Sequence, residues 1–220
     1  MRYQGAIFDQ DGLLFDTESV YQRAWIEAGA AQGVTIPPAF PRRFCGLSPR
    51  AIGEIAAAAF PALDIARYCR DAIDLAWSRQ LAGVPVKKPG LAEMLAFCRA
   101  HGIKTAVASS STRRVVEHNL TAAGVRGSFD AIATGDEVTR GKPAPDIFLL
   151  AARKIGVAPS ACVVFEDAES GIRGAVAAGC GAVMVPDGTV PSEEIRALCR
   201  VEPTLAAATA VFEGVRGLGV

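Results

Sequence analysis

The sequence is short of the features that usually settle a protein's class. Its 220 residues carry 23 Lys and Arg against 23 Asp and Glu, so no charge surplus points to nucleic acid or an anionic membrane as partner. No apolar run approaches a membrane span, and the N-terminus lacks the basic and apolar sections of a signal peptide, so a cytoplasmic protein is expected. Six cysteines, at 45, 69, 98, 162, 180 and 199, form no CxxC pair. That spacing argues against a zinc site or a disulfide framework and for reduced, mostly buried thiols; Cys69 and Cys162 fall in apolar patterns as structural filler. Of the two histidines, His101 closes a helix before Gly102 and His118 sits among Arg113, Arg114 and Glu117; neither is expected to be catalytic. No internal repeat or low-complexity tract occurs.

What is present is an alternation. Half of the residues are hydrophobic, enough for one good-sized domain or a domain with a large insertion. Short runs rich in Val, Ile and Ala at 5–8, 103–109, 130–134, 161–165 and 181–185 predict buried strands. Between them, 90–101, 112–124, 145–156 and 168–179 predict helices. Strand–helix repetition with continuous apolar strands implies an α/β fold, a doubly wound, Rossmann-like parallel sheet with helices on both faces.

From about residue 17 to 86 the alternation stops. Only helical patterns occur there, as in 65–81, where Ile65, Cys69, Ala72, Ile73, Ala76 and Trp77 share a face opposite Arg67, Arg70, Asp74 and Ser78. So long a block exceeds any ordinary connection in an α/β unit. The expected organisation is a core of 1–16 and 87–220, with a helical domain of 17–86 inserted after the first strand.

Ligands of open parallel sheets bind beyond the carboxyl ends of the strands. Asp9 and Asp11 directly follow the strand GAIF, with Gly12 permitting a sharp turn. Glu166 and Asp167 follow ACVVF, Ser109 to Ser111 follow AVA, and Lys142 lies in the loop RGKPAPD. Singly, these are turn residues, helix caps and a solvated lysine. Together they bring acidic, hydroxyl and cationic groups to one end of one sheet. Clustered carboxylates suit a hard cation such as Mg²⁺, serine hydroxyls and helix-start N–H groups suit a phosphate, and a lysine balances charge in phosphoryl transfer. Two neighbouring carboxylates can then divide the work as nucleophile and acid/base.

FDQDGLLFDTE, VASSS, GKPAPDIF and FEDAESGIRGA resemble, in order and spacing, the motifs of the haloacid dehalogenase-like phosphatases. The nearest branch is similar to the β-phosphoglucomutases and small sugar-phosphate phosphatases, and the helical insert resembles that superfamily's first type of cap. The resemblance implies that Asp9 is a nucleophile forming an aspartyl-phosphate, and that Asp11 is the general acid and base. It implies that Ser109 and the backbone of Ser110 hold the phosphate and that Lys142 balances charge. Mg²⁺ would be held by Asp9, the main-chain carbonyl of Asp11, and Asp167, with Glu166 helping directly or through water. Gly171 stands where much of the superfamily has a later aspartate. The second aspartate, Asp11, argues against the dehalogenases themselves, which attack carbon.

Substrate choice would rest with the cap. Glu18, Tyr21 and Trp25 share a face of its first helix, and Glu18 and Tyr21 could reach a substrate, whereas Trp25 suits the cap core. Arg50 could read a second phosphate or a carboxylate, with Arg42 and Arg43 competing for that role. The leading expectation is a Mg²⁺-dependent hydrolase of a small phosphomonoester, a sugar or polyol phosphate. The alternative, a phosphomutase, resembles enzymes with a cap histidine and a cap lysine. This chain has Tyr21 at the first place and no lysine between 17 and 86. A phospho-acceptor switch is the third reading, disfavoured by Asp9-Gln10-Asp11-Gly12 and by the large insert. The oligomeric state is left open, with a monomer favoured.

Overall fold

A computed structural model describes residues 3–44, 47 and 49–213. Cys45 lies outside the described residues. Six parallel strands form one sheet in the order β3-β2-β1-β4-β5-β6. They are β1 Gly5–Phe8, β2 Lys104–Ser109, β3 Ala131–Thr134, β4 Cys162–Glu166, β5 Gly181–Met184 and β6 Arg200–Val201.

β1 is central and buried throughout, which is why GAIF contains no polar residue. The period-2 geometry of a strand sends its neighbours to opposite faces. Ala6 and Phe8 join the core on one side with Val107, Val163 and Phe165. Ile7 joins the other with Ala106, Ala108 and Val164. Phe8 and Phe165 stack with centroids 5.0 Å apart, worth about 0.5–1.5 kcal/mol beyond the area they bury. Helices α4 Leu91–Ala100, α5 Arg113–Ala122 and α9 Leu205–Ala208 cover the first face. α6 Asp146–Ile155 and α7 Glu169–Ala177 cover the second, and α8 Glu193–Leu198 packs beyond α7 through Ile195.

The doubly wound α/β expectation is therefore borne out. Element ends shift by a residue or two. β4 runs one residue past the expected stretch because Glu166 pairs with Met184 of β5. β6, α8 and α9 had no sequence expectation, since two to six residues carry too little periodicity.

Between β1 and α4 lie α1 Glu18–Ala30, α2 Pro49–Ala59 and α3 Ile65–Ala82. They share a separate hydrophobic cluster around Trp25, Phe44, Ile52 and Tyr68. Trp25 packs on Phe44 and Tyr68, each with centroids 5.2 Å away. On α3 the buried line is Tyr68, Ala72, Ala76 and Gln80, flanked by the apolar residues of the expected stripe. The two chain segments joining these helices to the sheet run side by side. The Asp16 N–H donates to the Val86 carbonyl and the Lys88 N–H to the Leu14 carbonyl, both at 2.9 Å. Among the described residues no helix is long and apolar enough to cross a membrane.

Candidate active site

Beyond the carboxyl ends of β1, β2 and β4, a cavity of about 390 Å³ separates the sheet from α1 and α3. Its floor carries Asp9, Asp11, Ser110, Ser111, Lys142, Glu166 and Asp167.

Asp9 extends β1, its N–H bonded to the Phe165 carbonyl at 3.0 Å. At Gly12 the chain turns with φ +86°, and a Cβ there would lie 2.3 Å from Asp167 Oδ2. Only glycine provides both that conformation and room for the carboxylate behind it. Asp9, Glu166 and Asp167 can each place a carboxylate oxygen within 4.8 Å of the others, and all three are buried.

Lys142 enters from the loop before α6, a loop fixed by the Arg140 guanidinium, which grips Asp146 at 2.9 and 2.7 Å. Its ammonium donates to Asp9 Oδ1 at 2.5 Å, to Glu166 Oε1, and to the Ala108 carbonyl at 3.1 Å. Its Nζ also lies 5.2 Å from the centre of the Phe148 ring. Burial alone would lower the Lys142 pKa, but the charges of Asp9 and Glu166 outweigh it and hold the ammonium above its ordinary value. Asp9 shifts well upward, first through burial and then through Glu166 and Asp11, against the pull of Lys142. Asp167 is also raised, by burial first and then by Glu166, Asp9 and Glu18.

With all three carboxylates ionised against one ammonium, the cluster would carry an excess of two negative charges, a repulsion that adds to burial in raising Asp9 and Asp167. An all-oxygen set with that excess fits a hard divalent cation. Glu166 is the most committed of the three. Its Oε2 accepts from the N–H groups of Asp167 and Ala168 at 3.1 and 3.2 Å, while Oε1 takes Lys142. Gly171 accounts for its room: a Cβ there would stand 2.0 Å from Glu166 Cδ. A side chain at 171 and a carboxylate delivered from 166 occupy the same space, so Gly171 and Glu166 form one acidic arrangement.

The Asp11 carboxylate stands apart from this cluster. Its Oδ2 accepts from Ser109 Oγ at 3.2 Å and Ser111 Oγ at 3.0 Å, and its Oδ1 is buried with no partner among the described residues. Ser109 is fully buried, its hydroxyl turned to Asp11 and to the Ser111 N–H rather than into the cavity. Ser111, which reads from sequence as a helix cap, shares the Asp11 contact instead. The run of serines ending β2 was the signal for it, and the bend after Ser109, closed by the Ser111 N–H on Ser109 Oγ, brings both hydroxyls to Asp11.

Of the residues expected to touch substrate, Glu18 and Tyr21 line the cavity and Arg50 does not. The Arg50 side chain is 90% exposed and bonded to Glu54 one turn on. The Tyr21 hydroxyl accepts from Trp77 Nε1 at 3.2 Å. Burial first, then the charge of Asp11, hold the Tyr21 phenol above its usual range. Trp25, expected in the helical core, is there and reaches the cavity too, beside Trp77 and Ile73, which no site expectation included. His101 stacks on Phe97 and His118 bonds the Gly83 carbonyl, both away from the cavity.

Residues 3–179 match the haloacid dehalogenase-like hydrolases. The chain belongs to this family. Among curated haloacid dehalogenase-like relatives, the phosphorylated carbohydrates phosphatase of Thermotoga maritima is 32% identical over 176 residues, covering 80% of this chain and 82% of its own. Fructose-1-phosphate phosphatase YqaB of Escherichia coli is 37% identical over 190 residues, covering 84% and 97%. Among solved structures, CbbY of Rhodobacter sphaeroides superposes with a TM-score of 0.74 at 29% identity, over 93% of this chain and 95% of its own. CbbY has been solved with phosphate and, as a variant, with xylulose 1,5-bisphosphate.

Proposed function

We propose that the protein is a Mg²⁺-dependent phosphomonoester hydrolase acting in the cytoplasm on a small phosphorylated carbohydrate or polyol, through an aspartyl-phosphate on Asp9. The observation that carries this reading is the division of labour between two carboxylates facing one cavity. Asp9 is gripped by Lys142 within the acidic cluster, whereas Asp11 is held by two serines outside it. The kinship with named sugar-phosphate phosphatases supports the substrate class.

In this reading Lys142 fixes Asp9 through Oδ1, leaving Oδ2 to attack phosphorus. The bond from phosphorus to the leaving alcohol breaks as the Asp11 carboxyl, which lines the cavity, gives that oxygen a proton. Asp11 then takes a proton from a water attacking the phosphoryl group, and the bond to Asp9 breaks to release phosphate. Ser110 and Ser111 line the cavity where the phosphate would sit, and Ser109 orients Asp11. Asp9, Asp167, Glu166 and the Asp11 carbonyl would hold Mg²⁺, which would supply positive charge against the phosphoryl oxygens. Residues 17–86 serve as a cap whose closure keeps water out until the second step.

The test is phosphate release from a panel of phosphorylated sugars and polyols, with Mg²⁺ and with chelator. Release is expected only with Mg²⁺; full activity in chelator overturns the metal assignment.

A further inference from the structure

The polar floor and the helical roof of the cavity differ in charge. Lys142 is the sole Lys or Arg lining the cavity among the described residues. Its ammonium has three N–H donors and spends them on Asp9, Glu166 and the Ala108 carbonyl. The roof offers Trp25, Phe44, Ile52, Ile73 and Trp77, and its one ionisable carboxyl is Glu18.

Cations on the inserted helices turn elsewhere. Arg50 pairs with Glu54, Arg67 with Asp71, and Arg79 with Glu27 at 2.5 Å, while Arg43 lies over the Phe40 ring at the surface. A second anionic group on a substrate would therefore leave water for a wall of aromatic and aliphatic carbon, with a carboxylate as its charged neighbour. Such burial is unfavourable without a counter-charge.

Resting on the phosphatase reading above, we infer that the enzyme takes monophosphates of uncharged alcohols, presenting an apolar face to the roof, and that Glu18 rejects substrates with a second phosphate or a carboxylate. Tryptophan faces suit the C–H face of a sugar ring, and Glu18 and Gln22 can accept or donate to its hydroxyls. A phosphomutase must hold a bisphosphate intermediate, so the same wall opposes that activity.

The experiment is a set of matched pairs assayed with Mg²⁺. They are fructose 1-phosphate against fructose 1,6-bisphosphate, glucose 6-phosphate against glucose 1,6-bisphosphate, and glycerol 3-phosphate against 3-phosphoglycerate. Xylulose 1,5-bisphosphate and p-nitrophenyl phosphate, an ester with no second phosphate or carboxylate, complete the panel. In each pair turned over, kcat/KM should favour the member without the second anionic group by about a hundredfold, since like charges brought together cost several tenfold steps in affinity. In Glu18→Gln that ratio should fall about tenfold, through a lower KM for the member with two anionic groups. Equal turnover within the pairs overturns the inference while leaving the hydrolase reading intact. A ratio that Glu18→Gln does not move removes Glu18 from it. Silence on every ester, p-nitrophenyl phosphate included, overturns the hydrolase reading and this inference with it.

Discussion

The sheet end and the helices above it face each other across one cavity, yet they are organised on opposite terms. On the floor the reactive side chains are held by other polar groups: Lys142 on Asp9 and Glu166, Ser109 and Ser111 on Asp11, two backbone N–H groups on Glu166. On the roof Trp25, Phe44, Ile52 and Ile73 are fixed by packing within their own cluster. Hydrogen-bonded charge specifies where a phosphorus atom must sit to within tenths of an ångström. An apolar wall specifies shape and excludes charge but tolerates repacking. On the proposed reading, chemistry and selectivity are thus separable by residue.

The largest effects should fall on the floor. Asp9→Asn removes the proposed nucleophile and should lower kcat by at least about a thousandfold. Asp11→Asn should lower it by about a hundred to ten thousandfold, and trapping of phospho-enzyme by mass spectrometry would show which half-reaction suffers. Ile73→Val on the roof should change kcat less than about threefold and act mainly on KM. A roof variant that lowers kcat as deeply as Asp11→Asn would break the division.

A smaller effect sharpens the floor's side of the comparison. Gly171→Ala puts a Cβ where Glu166 Cδ now stands, so the carboxylate must move. Affinity for Mg²⁺, read by calorimetry, should drop about ten- to a hundredfold, as for other groups that orient metal ligands. Glu166→Ala and the double variant should then be nearly equal, since the clash has nothing left to displace. Additive losses would show that Gly171 matters for another reason.

How much of this was legible in the sequence follows the same division. Asp9, Asp11, Asp167 and Lys142 stood out because a parallel sheet delivers the residues after its strands to one place, so local spacing was enough. Glu166 stood out too, though its tie to Gly171 appears only when β4 and α7 are brought together. The roof is different. Helical periodicity marked a stripe of α3 that did not include Tyr68 and Gln80, which folding places inside. Arg50 looked available from sequence. Its helix instead turns it to solvent, where Glu54 four residues on is the nearest partner. Which residues of α1, α2 and α3 meet the cavity depends on how these helices pack on one another, and no single-helix pattern contains that.

The smallest effect concerns one buried contact between the two regions. Asn119 Nδ2 on α5 donates to Gln80 Oε1 on α3 at 2.7 Å, and both residues are buried. Asn119→Ala leaves the Gln80 carbonyl without that donor and should cost about 1–3 kcal/mol, read as a lower midpoint in denaturant. Replacing both partners, Gln80→Leu with Asn119→Leu, removes the unmet demand and should recover most of the loss. The slope with denaturant decides what the contact does. An unchanged slope and a single transition would mean that the helical layer and the sheet unfold together and that the bond merely adds to a shared stability. A second transition appearing in Asn119→Ala would mean that α3 leaves the sheet first, and that this one buried amide pair holds the selective wall against the reactive floor.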